Sequence, residues 1–211
     1  MNKVRGGLYV ITDKRLISRG NFLGDVRKSL LGGASIIQLR EKGTPVGEIV
    51  SLGREILKLT ADTGVPLIIN DSPELAKEIG AQGVHLGEDD PSIEDARLVL
   101  GEGAIIGVSC YSRLERGVNA EARGADYVVF GTPYPTLTKP GREPTPLEIL
   151  IKAKEIIRSV PVFAIGGINV ENAPEILRTG VDGIAVITSV FGAPDPGEAT
   201  RELVEIIEKY A

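Results

Sequence analysis

Arg40 and Lys42 stand either side of Glu41 in the run QLREK, Asn70 and Asp71 adjoin in IIND, and Glu88, Asp89 and Asp90 follow GVHLG in an acidic row. Ser109, then Thr136, Thr138 and Lys139 in PTLTK, Gly166 and Gly167 in IGGIN, and Thr188 extend the set. Arginine offers a planar fork and lysine a compact charge, so with Gln38 this cluster suits the oxygens of a diphosphate. Asp71 and Asp90 supply the oxygen ligands a hard ion such as Mg2+ accepts, one or two carboxylates with phosphate and water completing the shell. Cations and carboxylates then do not compete, because the metal connects them. The glycines of IGGIN can bring backbone N–H groups to a second phosphate. Two anion sites imply two phosphorylated reactants.

These residues recur at the ends of short apolar runs, and the runs set the architecture. Eight occur: GLYVIT, SIIQLR, PLIIN, GVHLG, AIIGVS, DYVVFG, PVFAIGG and GIAVIT. Segments of helical period lie between them, as at Val46, Ile49, Val50, Ile56 and Leu57, and again at Ala199, Leu203, Ile206, Ile207 and Tyr210. Each of these two segments reads as a helix with one buried stripe. Glycine-rich turns such as LGGAS and RTGVDG close helices before the chain returns. Near-continuous apolar strands alternating with helices predict a parallel sheet covered on both faces, and eight units close it into a single-domain (β/α)8 barrel over residues 1–211. An open doubly wound sheet is the competing arrangement. In the barrel, the C-terminal strand ends share one rim, which is where the chemistry-bearing residues fall.

Composition bounds the partners. With 211 residues, 42% of them hydrophobic, the chain can bury a sizeable core. A formal net charge of −5 argues against nucleic acid held on a general basic face. The lone Cys110 allows no internal disulfide, and no apolar run approaches a membrane span. The expectation is a soluble, cytoplasmic protein acting on small molecules, without nucleic-acid or membrane partners; homo-oligomer formation stays open.

Each site residue has a plain structural alternative. Arg40, Glu41 and Lys42 could be a solvated charge run. Asn, Asp and Ser cap helices, although Ser72 followed by Pro73 can cap alone and leaves Asn70 and Asp71 surplus to that role. Asp90, just before Pro91 and Ser92, is a stronger cap candidate. Thr136 and Thr138 could shape a Pro-rich turn, and Gly166 and Gly167 a tight one. His85, inside the fourth run, reads as a packed, hydrogen-bonded histidine, and one histidine cannot make a multi-histidine zinc site. Cys110 reads as a small buried or rim residue.

The motifs LYVITD, GGASIIQLREK, IINDSPELA, GVHLGEDD, GVSCYS, GADYVVFGTPYPTLTK, AIGGIN and GIAVITSVF, in that order, resemble the thiamine phosphate synthase family along almost the whole chain. The resemblance implies a (β/α)8 barrel that joins a pyrimidine methyl diphosphate to a thiazole phosphate, releasing pyrophosphate with Mg2+ as cofactor. It puts the pyrimidine diphosphate on Gln38, Leu39, Arg40, Glu41, Lys42, Asn70, Ser109 and Lys139, and the metal on Asp71 and Asp90. The thiazole phosphate falls to Thr136, Leu137, Thr138, Gly167, Ile187 and Thr188. The family's reaction is dissociative, with Arg40, Lys42, Lys139 and Ser109 the groups expected to act on the leaving diphosphate. Two departures stand out. Glu88 replaces a frequent Gln, leaving the metal ligand open among Glu88, Asp89 and Asp90, and VIT stands where Ser is common at the third position. A related thiazole tautomerase resembles the same barrel but carries His where this chain has Thr132, and a non-catalytic phosphate-binding barrel is the alternative from another class.

Overall fold

A computed structural model describes residues 4–17, 21–135 and 144–210. The apolar runs become strands β1 (Gly7–Ile11), β2 (Ile36–Leu39), β3 (Leu67–Asn70), β4 (Gly83–Leu86), β5 (Ile105–Tyr111), β6 (Tyr127–Gly131), β7 (Val162–Ile165) and β8 (Gly183–Val186). Neighbours pair in parallel, and β1 pairs with β8, so the sheet closes into the expected barrel. The helices between them are α1 (Phe22–Leu31), α2 (Val46–Thr60), α3 (Pro73–Ile79), α4 (Ile93–Leu100), α5 (Leu114–Ala122), α6 (Leu147–Ile156) and α7 (Ala173–Leu177); a short α8 (Thr188–Phe191) and the closing α9 (Pro196–Glu208) follow β8.

Strand side chains alternate between two cores, as the period of two requires. Leu39, Ile69, Val108, Cys110, Phe130 and Ile184 point outward to the helices, whereas Tyr9, Ile36, Ile68, Ile105, Tyr127, Val129 and Phe163 fill the barrel. Three of the inward residues are rings, and Tyr9, Tyr127 and Phe163 meet edge to face at 5.6–5.8 Å. Glycines make room for them: a Cβ on Gly107 would lie 2.0 Å from the Tyr127 ring, and one on Gly183 2.5 Å from that of Phe163. Burial pushes the Cys110 thiol up to about 12, so it behaves as a small apolar group.

The amphipathic segments form helices with some shifts in what they bury. In α2 the buried residues are Val50, Gly53, Ile56 and Thr60, while Val46 in the first turn is 61% exposed. In α9, Thr200, Leu203 and Ile207 are buried, but the helix ends at Glu208. Tyr210 therefore leaves the stripe and lies exposed, with the Arg178 guanidinium 5.6 Å from its ring centre.

The N-terminal end of the barrel is closed by polar clamps. Asp126 Oδ2 accepts the N–H of Ile106 and pairs with Arg97 at 2.6 Å; Asp182 Oδ2 accepts the N–H of Val162 and pairs with Lys154 at 2.6 Å. Gln82 Oε1 accepts the N–H of Leu67 in the same way. Each side chain satisfies a donor at the start of a strand, a group that burial would otherwise leave costly. No described helix is long and apolar enough to cross a membrane.

Candidate active site

The opposite, C-terminal end of the strands gathers those residues singled out from the sequence that lie among the described ones. Gln38 follows the inward parity of β2 and is buried, and Arg40 continues that parity just past the strand. Among the described residues, Arg40 Nε is the buried side-chain polar atom that lacks a hydrogen-bond partner. An unsatisfied buried donor of this kind is costly unless a ligand completes it. Leu39, one residue out of phase, sends its side chain into the outer core, so only its backbone can face the rim. Glu41 turns to the end of β1, where it accepts a 2.8 Å hydrogen bond from Thr12 Oγ1. Burial raises its pKa. Thr12 in turn accepts the Arg40 N–H at 3.0 Å, so Glu41 braces the loop that aims Arg40.

Asp13, beside Thr12, was not singled out from the sequence and belongs to this group. It holds Arg15 through two hydrogen bonds to the guanidinium Nε and one to the terminal nitrogen, and lies 4.0 Å from Arg40. Arg15 holds its carboxyl below the usual range. The signal was present: LYVITD ends the first apolar run, at the same rim.

At β3, the cap question is resolved by Ser72, whose Oγ accepts the Leu75 N–H at 3.1 Å, with Pro73 in the first turn. Asp71 is free for another use and adopts a left-handed φ of 69°, which a non-glycine residue seldom does without cause. Lys42 Nζ lies 3.0 Å from its carboxylate. Burial pushes the Asp71 pKa up, but Lys42 outweighs it, helped by hydrogen bonds with Asp90 and Asn70, and the net shift is downward. Asp90 shifts upward, first through burial and then through the charge of Asp71 beside it.

The acidic row divides cleanly. Asp90 turns inward, accepts the Gly87 N–H at 2.5 Å and meets Asp71, whereas Ser92 supplies the α4 cap. Glu88 is exposed and pairs with Arg113 at 2.6 Å, and Asp89 is exposed. Asp71 and Asp90 are thus the carboxylates that converge. Among the described residues no group of three His, Cys, Asp or Glu could hold a metal. Two carboxylates with a lysine beside them match an ion that draws its other ligands from water and phosphate.

Ser109, on the inward side of β5, is buried, and its Oγ lies 2.9 Å from His85 Nε2. Arg116 donates to the Ser109 carbonyl at 2.7 Å and the Gly87 carbonyl at 2.9 Å, tying the β4 and β5 ends together. Its place on a helix gave no sign of this role.

Across the mouth, among the described residues, the rim is built from glycines and neutral polar groups. Gly166 and Gly167 have φ of 122° and 57°, and a Cβ on Gly167 would lie 2.4 Å from the Pro135 carbonyl oxygen. Glycine there is required by the approach of the β6 loop as well as by its own backbone. Asn172 Nδ2 donates to the Gly167 carbonyl at 2.9 Å, and Ser189 Oγ donates to the Ile168 carbonyl, fixing this loop to α8. Ile187 precedes α8 and Thr188 opens it, exposed. Thr132 donates its hydroxyl to the Gly166 carbonyl. Thr136, Leu137, Thr138 and Lys139 lie outside the described residues.

A closed (β/α)8 barrel with arginine, lysine and paired carboxylates at the C-terminal rim is the form of a phosphate-handling barrel enzyme. The comparisons narrow the class. A family model described as thiamine monophosphate synthase matches residues 8–190. The chain is 46% identical over 200 residues to a thiamine-phosphate synthase of Methylococcus capsulatus, covering 95% of this chain and 88% of that one. It is 44% identical over 191 residues to one of Marinobacter nauticus, covering 90% and 85%. A solved thiamine phosphate pyrophosphorylase from Pyrococcus furiosus superposes with a TM-score of 0.88 at 42% identity, over 98% of this chain and 97% of that one. The chain belongs to the thiamine monophosphate synthase family, whose members are transferases.

Proposed function

We propose that this chain joins 4-amino-2-methyl-5-(diphosphooxymethyl)pyrimidine to the thiazole phosphate, 4-methyl-5-(2-phosphooxyethyl)thiazole or its carboxylated tautomer, giving thiamine phosphate and pyrophosphate, with the carboxyl group of the carboxylated form leaving as CO2. The observation that carries this reading is the arrangement of Arg40, Lys42, Asp71 and Asp90: a buried guanidinium nitrogen without a partner stands on the same rim as an ammonium and two converging carboxylates. Such a cluster is unfavourable by itself and is completed by an anion together with a cation. Asp71 and Asp90 fit Mg2+, which when bound with diphosphate would offset charge developing on the leaving group.

The protein's own residues then have distinct tasks. Arg40 and Lys42 bind the diphosphate, joined by Lys139 and by the Ser109 hydroxyl. Gln38 and Asn70 orient the pyrimidine end. The bond from the methylene carbon to the diphosphate oxygen breaks with its electron pair leaving on oxygen, and the thiazole nitrogen's lone pair forms the new C–N bond. No base is needed in that exchange. Gly167, Ile187 and Thr188 hold the thiazole phosphate through backbone groups, and the family resemblance adds Thr136, Leu137 and Thr138, which lie outside the described residues.

The test mixes purified protein with both substrates, in Mg2+ or in EDTA, and measures thiamine phosphate and pyrophosphate. Product in equal amounts that requires Mg2+ supports the proposal. Folded protein with no product in either tube overturns it in favour of a tautomerase or a binding protein.

A further inference from the structure

The polar groups inside the barrel form one continuous chain. Gln38 Nε2 donates to the Tyr9 hydroxyl, Tyr9 and Tyr127 hydroxyls lie 2.8 Å apart, Tyr127 Oη lies 3.2 Å from His85 Nδ1, and His85 Nε2 lies 2.9 Å from Ser109 Oγ. The His85 and Tyr127 rings stack at 5.6 Å with 20° between their planes, so the imidazole is held in place. Both ends of this chain, Gln38 and Ser109, are rim residues assigned above to the pyrimidine diphosphate, and the middle is sealed from solvent.

The direction of the chain follows from proton accounting. A phenol has one proton to donate. With Tyr9 receiving from the Gln38 amide, the arrangement that uses every proton has Tyr9 donating to Tyr127 and Tyr127 donating to His85 Nδ1. A neutral imidazole that accepts at Nδ1 carries its proton at Nε2 and donates it to Ser109. Ser109 accepts from the histidine, which leaves its own hydroxyl proton for an oxygen outside the chain. At the other end, the Gln38 amide gives a proton to Tyr9 and keeps Oε1 as an acceptor.

Resting on the proposed function, we infer that the Tyr9–Tyr127–His85 chain is a positioning device that fixes His85 as the Nε2–H tautomer and makes Ser109 a donor to the diphosphate and Gln38 an acceptor from the pyrimidine amine. His85 and the two tyrosines touch no reacting atom. They set which way the two terminal groups can hydrogen-bond, and a reversed chain would present an acceptor to an anion.

His85 is the chain's sole histidine, so the imidazole nitrogens of untagged, 15N-labelled protein are assigned without ambiguity. The experiment records their NMR shifts at about pH 9, where an ordinary imidazole is neutral, in the wild type, Tyr127→Phe and Tyr9→Phe. A wild-type ring protonated at Nε2, with Nδ1 protonation appearing in Tyr127→Phe, is the expected result. Tyr127→Phe should also lower kcat/KM for the pyrimidine diphosphate about tenfold while the KM for thiazole phosphate stays within twofold. Tyr9→Phe, which breaks the chain one link earlier, keeps the test available should Tyr127→Phe not fold. A wild-type ring protonated at Nδ1, or a tautomer unaffected by either variant, overturns the inference. The spectrum reads the tautomer whether or not product forms, so an inactive wild type with the Nε2–H ring counts against the proposed reaction alone.

Discussion

The two ends of the barrel use the same residue types in opposite ways. At the N-terminal end, Asp126 and Asp182 each accept a strand N–H and pair with a cation, so every group has a partner. At the C-terminal end, Asp71 faces Asp90, its backbone sits at φ 69°, and Arg40 Nε is buried without a partner. The first arrangement completes itself within the protein. The second is completed only by something added, and that incompleteness marks the functional end more clearly than charge content does, because both ends are charged.

Asp71→Ala breaks the comparison most severely. It should lower Mg2+-dependent turnover on the order of 10²-fold or more, with a melting temperature near that of the wild type; steady-state assay beside a thermal melt checks both. Lys42→Ala comes next, at about 10- to 100-fold in kcat/KM for the pyrimidine diphosphate, the scale of one charge-assisted hydrogen bond. Kinetics with each substrate varied in turn would refute this role if neither parameter moved.

Asp182→Ala should do the reverse. It removes the acceptor for the Val162 N–H and the partner of Lys154, costing about 1–3 kcal/mol and several degrees of melting temperature, with kcat unchanged. Glu88→Gln sharpens the contrast within the rim: an exposed pair with Arg113 contributes about 0–1 kcal/mol, so turnover should stay within twofold, while Asp90→Asn loses at least tenfold. Equal losses in the two variants would mean that the acidic row acts as a unit.

Between the two ends, Tyr9 and Tyr127 carry a pH signature with no effect near neutrality. Burial raises both phenols above the ordinary value of 10. The folded state therefore holds these protons more tightly than the unfolded chain, and their contribution is intact below pH 10 and lost as pH rises toward the folded values. Tyrosinate absorbance at high pH should show these two rings titrating together with unfolding. Early titration of both in folded protein would contradict their burial.

Much of this was legible in the sequence because periodicity and rim placement are local signals. The eight apolar runs became the eight strands, and Gln38, Arg40, Asn70, Asp71 and Ser109 reached one rim for the reason anticipated, their position at strand ends. What the sequence could not display was side-chain direction past the strand ends. Glu41 lies between two cations in QLREK yet turns to Thr12, and Asp90 is set apart from Glu88 and Asp89 only by the turn that aims it at Asp71. Arg116 and the interior chain through His85 depend on contacts between distant strands, which no short motif encodes.

The most direct test of the central claim, that the incomplete rim binds diphosphate and metal together, is a calorimetric titration of pyrophosphate in Mg2+. The account predicts binding that weakens at least tenfold in EDTA and in Asp90→Asn, and is unchanged in Asp182→Ala. Equal affinity under all these conditions would contradict it.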